Sequence, residues 1–101
     1  MLVLPIKKKW YDMIVSGEKK EEYREIKPYY TKRFQTINLL DRYGLPNVGV
    51  QKVVFRNGYS ANSRQALVDI SIDIRTGKSE WGAEPEKEYY VLKIEHICLH
   101  N

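Results

Sequence analysis

The stretch Gly17-Glu-Lys-Lys-Glu-Glu-Tyr-Arg24 carries six charged side chains in eight residues. It follows Trp10 to Ser16, a segment whose larger apolar residues recur at intervals of three and four, as on one face of a helix. A glycine directly after such a pattern favours a helix end, because glycine adopts positive φ without steric cost. We therefore predict a first helix from about Lys7 to Ser16, which ends at Gly17.

After Gly17, we predict a strand from Lys20 to Ile26. Strand alternation would place Lys20, Glu22 and Arg24 on one face. One interpretation is a solvated edge strand with cross-strand ion pairs, each contributing about 0.2–1 kcal/mol. The other is a polar cleft lined by Lys19, Glu22 and Arg24.

Length and composition indicate one folded domain over residues 1–101. The hydrophobic fraction is 43% and the charged fraction 30%, values typical of globular proteins and not of disordered ones. No apolar run approaches the roughly 20 residues of a membrane span. The first residues lack the charge order of a secretory signal, and the single Cys98 has no internal disulfide partner. We expect a cytoplasmic protein without a membrane partner, in which Cys98 is a small core residue.

The net charge of +4 is modest, but nine basic residues fall between Lys7 and Arg33, interleaved with tryptophan and tyrosine. This mixture is typical of RNA-binding surfaces, where rings stack on bases and cations meet phosphates. The alternative is a solvated helix whose lysines confer solubility. In the RNA-binding interpretation, Lys7 and Lys8 of the first helix hold phosphates.

The rest of the chain predicts a second helix from Tyr29 to Leu40, a loop from Asp41 to Gly49, and then strands. The strands are predicted at Val50–Arg56, Leu67–Arg75 and Tyr89–Leu99. In the second of these, Val68, Ile70, Ile72 and Ile74 should point inward. In the third, the inward residues should be Tyr90, Leu92, Ile94, His96 and Cys98. Early helices followed by strands with short turns indicate an α+β fold with a mixed or antiparallel sheet, curled into a barrel.

The spacing of Gly17, Lys19, Glu22 and Arg24, G-x-K-x-x-E-x-R, resembles the signature of the ASCH domain family. This resemblance covers most of the chain, and Trp81-Gly82 before a terminal apolar strand adds weaker support. It implies a small PUA-like β-barrel flanked by two short helices, and a role in binding RNA or a modified nucleoside or nucleotide.

The resemblance also leaves an enzymatic alternative open. Some ASCH proteins remove the acyl group from N-acylated cytidine with a Lys, a Thr and a Glu, and others look like ribonucleases. The family lysine corresponds to Lys19, whereas the threonine position holds Glu22. In a hydrolase, Lys19 would be the base, its pKa lowered by burial and by Arg24, and Glu22 would orient it. A protein-interaction module is the third possibility.

Further candidate cleft residues follow the first long strand: Arg56, Asn57, Tyr59 and Ser60. Trp81 is a candidate either for base stacking or for plugging the barrel mouth. The sequence contains no cofactor fingerprint, and so we expect no cofactor. His96 and His100 stand without a cysteine pair, so no metal site is predicted.

Overall fold

The computed structural model describes residues 1–101, which form two helices and one five-stranded mixed sheet. In chain order the elements are β1 (Val3–Ile6), α1 (Lys8–Val15), β2 (Glu21–Arg24), α2 (Pro28–Thr36), β3 (Gln51–Asn57), β4 (Gln65–Thr76), a single 3₁₀ turn (Ser79–Trp81) and β5 (Glu88–His100). The strand order is β1-β3-β4-β5-β2, with β1 parallel to β3 and the other neighbours antiparallel. The predicted α+β class with a mixed sheet is confirmed.

The sheet is not closed into a barrel, since β1 and β2 remain its two edge strands. One side chain nevertheless joins these edges: Arg24 of β2 donates from Nη2 to the backbone oxygen of Pro5 in β1, at 2.9 Å. Alternate backbone oxygens of a strand point to the same side, and those of Leu2 and Ile6 accept hydrogen bonds from the β3 side. The Pro5 oxygen points the other way and is therefore available to Arg24. The sheet therefore curls until its edges lie one side chain apart.

The core lies between the sheet and the helices, and β4 supplies its centre. Val68 and Ile70 are fully buried and Ile72 nearly so, which confirms the predicted inward face, although Ile74 is only half-buried. The other elements contribute Tyr11 and Ile14 of α1, Phe34 of α2, and Val53 and Phe55 of β3. No helix could cross a membrane, as the two have eight and nine residues.

Both helices are shorter than predicted, and the end of the second one could not be recognised from the sequence pattern. The first ends as expected, with Gly17 at φ +87°. The second ends at Thr36 instead of Leu40, because Asn38 adopts φ +63°, a conformation that terminates helices. Leu39 and Leu40 are still buried, but as part of the following loop.

The predicted inward face of β5 is correct as far as Ile94 and wrong beyond it. Two register shifts interrupt the pairing of β5 with β4, so that Ile70 lies opposite Ile94 but Asp69 lies opposite His96. Each shift adds a residue to β5 and resets its alternation. As a result His96 is exposed and Cys98 half-buried, and neither is a core residue.

Candidate functional site: a polar cleft beside the first helix

The first feature of the site is a buried lysine ammonium. Lys19 is 1% exposed. Its Nζ donates to the backbone oxygens of Glu21 and Trp81, the latter at 2.8 Å, and lies 3.3 Å from Oε1 of Glu22. An ammonium has three protons, and each one here has an acceptor. Lys19 is therefore fully satisfied inside the protein.

The turn after α1 explains why this lysine is the buried one. Gly17 reverses the chain, and the amide of Lys19 then donates back to the Met13 oxygen at 2.9 Å. The strand begins only at Glu21, so Lys20 lies outside it and is exposed. The predicted alternating face from Lys20 is therefore wrong at its first position and correct for Glu22 and Arg24.

The surroundings of Lys19 shift its titration. Burial lowers the pKa of the Lys19 ammonium below its ordinary value, and the neighbouring Glu22 carboxylate opposes part of this effect. Arg24 makes only a minor contribution in the lowering direction. The rings of Trp10 and Tyr23 also flank the ammonium, with centroids 5.2 and 4.8 Å from Nζ. Burial, and not Arg24, is therefore the main cause of the lower pKa of Lys19.

Glu22 and Arg24 form the second feature, an ion pair at the floor of a cleft. Arg24 Nη2 lies 2.8 Å from Glu22 Oε2, and both side chains are about one tenth exposed. Arg24 Nη1 also donates to the Tyr30 hydroxyl at 3.3 Å. The Arg24 Nε–H is buried and has no acceptor within the protein. Buried donors are almost always paired, so this one is an exception, and as a buried atom it is not itself exposed to the cleft.

The cleft itself has a volume of about 460 Å³ and lies between α1, β2 and the turn after β3. Its charged lining comprises three cations (Lys7, Arg24 and Lys27) and two carboxylates (Glu22 and Glu25). Its aromatic lining comprises Trp10, Tyr23, Tyr30 and Tyr59. The cleft therefore combines an excess of positive charge with several rings.

Only one of these rings is free. The ring of Trp10 already contacts cations, with Lys9 4.6 Å from its centroid, and Gly82 packs closely against it. Tyr30 stacks on Phe34 with centroids 6.0 Å apart. Tyr59 is 88% exposed and makes no ring contact of this kind. It is the aromatic residue at the rim that is best able to accept a partner.

The structure brings together some of the predicted site residues and separates others. Lys7, Glu22, Arg24 and Tyr59 line the cleft, whereas Lys19 lies behind it. The other predicted residues lie outside the lining. Lys8 forms an ion pair with Asp12, and Arg56 donates a hydrogen bond to Gln65. Asn57 is the last residue of β3, Ser60 accepts a hydrogen bond from the Asn62 amide, and Trp81 provides a backbone oxygen to Lys19.

Sequence reasoning missed Lys27, Tyr30 and the edge carbonyl of Pro5 as cleft residues. The first two belong to the basic and aromatic interleaving of the first third of the chain, so a signal for them existed. The role of Pro5 depends on the curl of the sheet, which no local pattern reports.

Comparison of the chain with family models, curated proteins and solved structures finds no match.

Proposed function

We propose that this protein binds RNA or a nucleotide-like ligand in the cleft. The observation that carries the proposal is Tyr59, an 88% exposed ring at the rim of a cleft that has cations on its walls. Base–aromatic stacking contributes roughly 1–3 kcal/mol per base and tolerates any base, since every base has a π-face. A free aromatic ring next to cations that can contact phosphates suits RNA or a nucleotide-like ligand.

The electrostatics of the cleft support the same proposal. Lys7 and Lys27 are exposed at its walls, where they can meet phosphates. The Arg24 guanidinium adds positive charge at the floor of the cleft. The Glu22 carboxylate pairs with Arg24 and holds that guanidinium in place at the cleft floor.

An ASCH-type, PUA-like domain remains part of the proposal, supported by the G-x-K-x-x-E-x-R spacing and by a sheet whose edges Arg24 joins. Binding is favoured over hydrolysis because of where Lys19 lies. Its ammonium already has three acceptors and is screened from the cleft, so it would have to break these contacts to act as a base.

The test is a pair of tyrosine substitutions. We expect Tyr59→Ala to weaken binding of a fluorescent single-stranded RNA by roughly 5- to 150-fold, which corresponds to the stacking energy of one base. The matched control is Tyr43→Ala, because Tyr43 is also exposed (72%) but lies in the loop after α2. Equal affinities for the two variants would contradict the proposed cleft.

A second test uses the salt dependence of binding. We expect Lys27→Met to weaken binding and to reduce the slope of log K against log salt by about 1, because the variant would neutralise one phosphate fewer. Lys93→Met removes another exposed cation, on β5 and outside the cleft, and should leave the slope unchanged. A slope that falls equally in both variants would indicate nonspecific attraction to the overall positive charge.

The same samples test the alternatives. Turnover of RNA or N-acylated cytidine by the wild-type protein would favour the hydrolase. Failure to bind RNA, DNA and free nucleotides would leave the protein-interaction module.

A further inference from the structure

A second cluster of functional side chains lies on the β4–β5 ladder and shares no residue with the cleft. Asp69 of β4 lies directly opposite His96 of β5. Register shifts flank this pair on both sides, one between Asp69 and Ile70 and one between Leu67 and Val68. Without the first shift, Glu95 would stand opposite Asp69, placing two carboxylates together. The irregularities of β5 therefore bring an imidazole to this position.

The second shift involves Cys98. Val68 pairs with Ile97 and Leu67 with Leu99, so Cys98 is the additional residue of β5. Its Sγ lies 3.6 Å from Asp69 Oδ2, and His96 Nδ1 lies 3.7 Å from the same oxygen. The three potential ligand atoms all lie within 4.8 Å of one another. A thiol, an imidazole and a carboxylate thus converge on one point.

We propose that Asp69, His96 and Cys98 bind a thiophilic divalent ion such as Zn²⁺. Zinc bonds of about 2.0–2.3 Å in tetrahedral geometry place ligand atoms about 3.5 Å apart. The two separations to Asp69 Oδ2 are already close to this value. A cysteine and a histidine select zinc-like ions over Mg²⁺ or Ca²⁺, which prefer oxygen ligands. Three protein ligands leave a fourth position for water or another group.

Lys52 of β3 contacts the cluster through Asp69. Its Nζ lies 2.7 Å from Asp69 Oδ1. The other oxygen of the carboxylate, Oδ2, faces His96 and Cys98. Hydrogen-bonded partners of this kind commonly orient metal-ligating carboxylates.

No sequence motif marks this site, because Asp69 is distant along the chain from His96 and Cys98. Asp69 precedes Cys98 by 29 residues, and only strand pairing brings them together. His100, the only other histidine of the chain, is not in the cluster.

The experiment titrates reduced protein with Co²⁺, a coloured substitute for Zn²⁺, and then displaces it with Zn²⁺. We expect binding of one ion per chain, with a near-ultraviolet thiolate-to-cobalt absorption band. Cys98→Ser should abolish the band. His96→Ala and Asp69→Asn should each weaken binding at least tenfold, since loss of even an outer-shell partner of a metal ligand typically costs about 10- to 100-fold in affinity.

His100→Ala is the matched control, since it removes an exposed histidine of the same strand and should bind as the wild type does. His96 is exposed, so His96→Ala should fold normally, which metal-free thermal unfolding checks. Lack of a thiolate band in the wild type would overturn the proposal. Wild-type affinity in His96→Ala and Asp69→Asn would also overturn it, because the thiol alone would then be binding the ion.

Discussion

At the scale of single residues, Lys19 has a different role in the structure from the one predicted from the sequence. The G-x-K-x-x-E-x-R spacing singled out Lys19, Glu22 and Arg24, and the structure does bring these three together. The expectation that Lys19 would line the cleft is wrong, because its side chain is fully buried behind Glu22. Which of Lys19 and Lys20 is buried depends on the turn at Gly17, and strand alternation alone favours the wrong one.

We expect Lys19→Met to lower the free energy of unfolding by about 3 kcal/mol, the cost of leaving buried partners without their cation. The partners left unpaired would be two backbone oxygens and one oxygen of Glu22. Urea unfolding measures the change. Lys20→Met is the control, since Lys20 is exposed and its replacement should change stability by about 0.5 kcal/mol or less. Indistinguishable unfolding of the two variants would show that Lys19 is not a structural cation.

At the scale of elements, β2 depends on side chains because it is a four-residue edge strand paired only with β5. At one end, Arg24 connects it to β1. At the other, Glu21 accepts hydrogen bonds from Arg75 of β4 and from Tyr23. These contacts hold the strand that carries Glu22 and Arg24 into the cleft.

The Glu21 contact makes stability depend on pH. Burial alone would raise the pKa of Glu21, but hydrogen bonds from Arg75 and Tyr23 outweigh it and bring the pKa below its ordinary value of 4.5. The carboxylate therefore stabilises the fold fully above about pH 4.5, and this contribution disappears as the pH falls through the folded-state value.

We expect Glu21→Gln to lower the free energy of unfolding by about 1 kcal/mol at pH 7, a small value because Arg75 is partly exposed. The difference from wild type should shrink in acid, as measured by urea unfolding between pH 7 and pH 3. Glu80→Gln alters an exposed carboxylate and should show no such trend. A difference for Glu21→Gln that is the same at every pH would exclude an ionic contribution.

Sequence patterns predicted β4 well and β5 only in part. Every second residue from Ala66 to Ile70 is buried, because an uninterrupted ladder with β3 lets the alternation continue, and Ile72 beyond the ladder extends it. The sequence of β5 also alternates. Its register shifts arise from the pairing with β4, and so they cannot be recognised in the sequence of β5 alone. The misplacement of His96 and Cys98 follows from this.

At the scale of the whole molecule, the α+β class followed from early helical spacing and later alternation, and it is confirmed. Whether the sheet closes into a barrel could not be predicted in the same way, because closure depends on the combined curl of all five strands. The edges approach closely enough for the Arg24–Pro5 bond, yet they do not pair. This partial curl places β1, α1 and β2 around one cleft.

The most direct test of the central proposal, ligand binding in this cleft, is an NMR titration of ¹⁵N-labelled protein with a short single-stranded RNA. We predict that the amide signals of Lys7, Lys27 and Tyr59 shift progressively, because these residues line the cleft. The signals of Lys52 and Asp69, on the outer side of the β3–β4 pair, should not shift. Unchanged spectra, or shifts concentrated away from the cleft, would contradict the account.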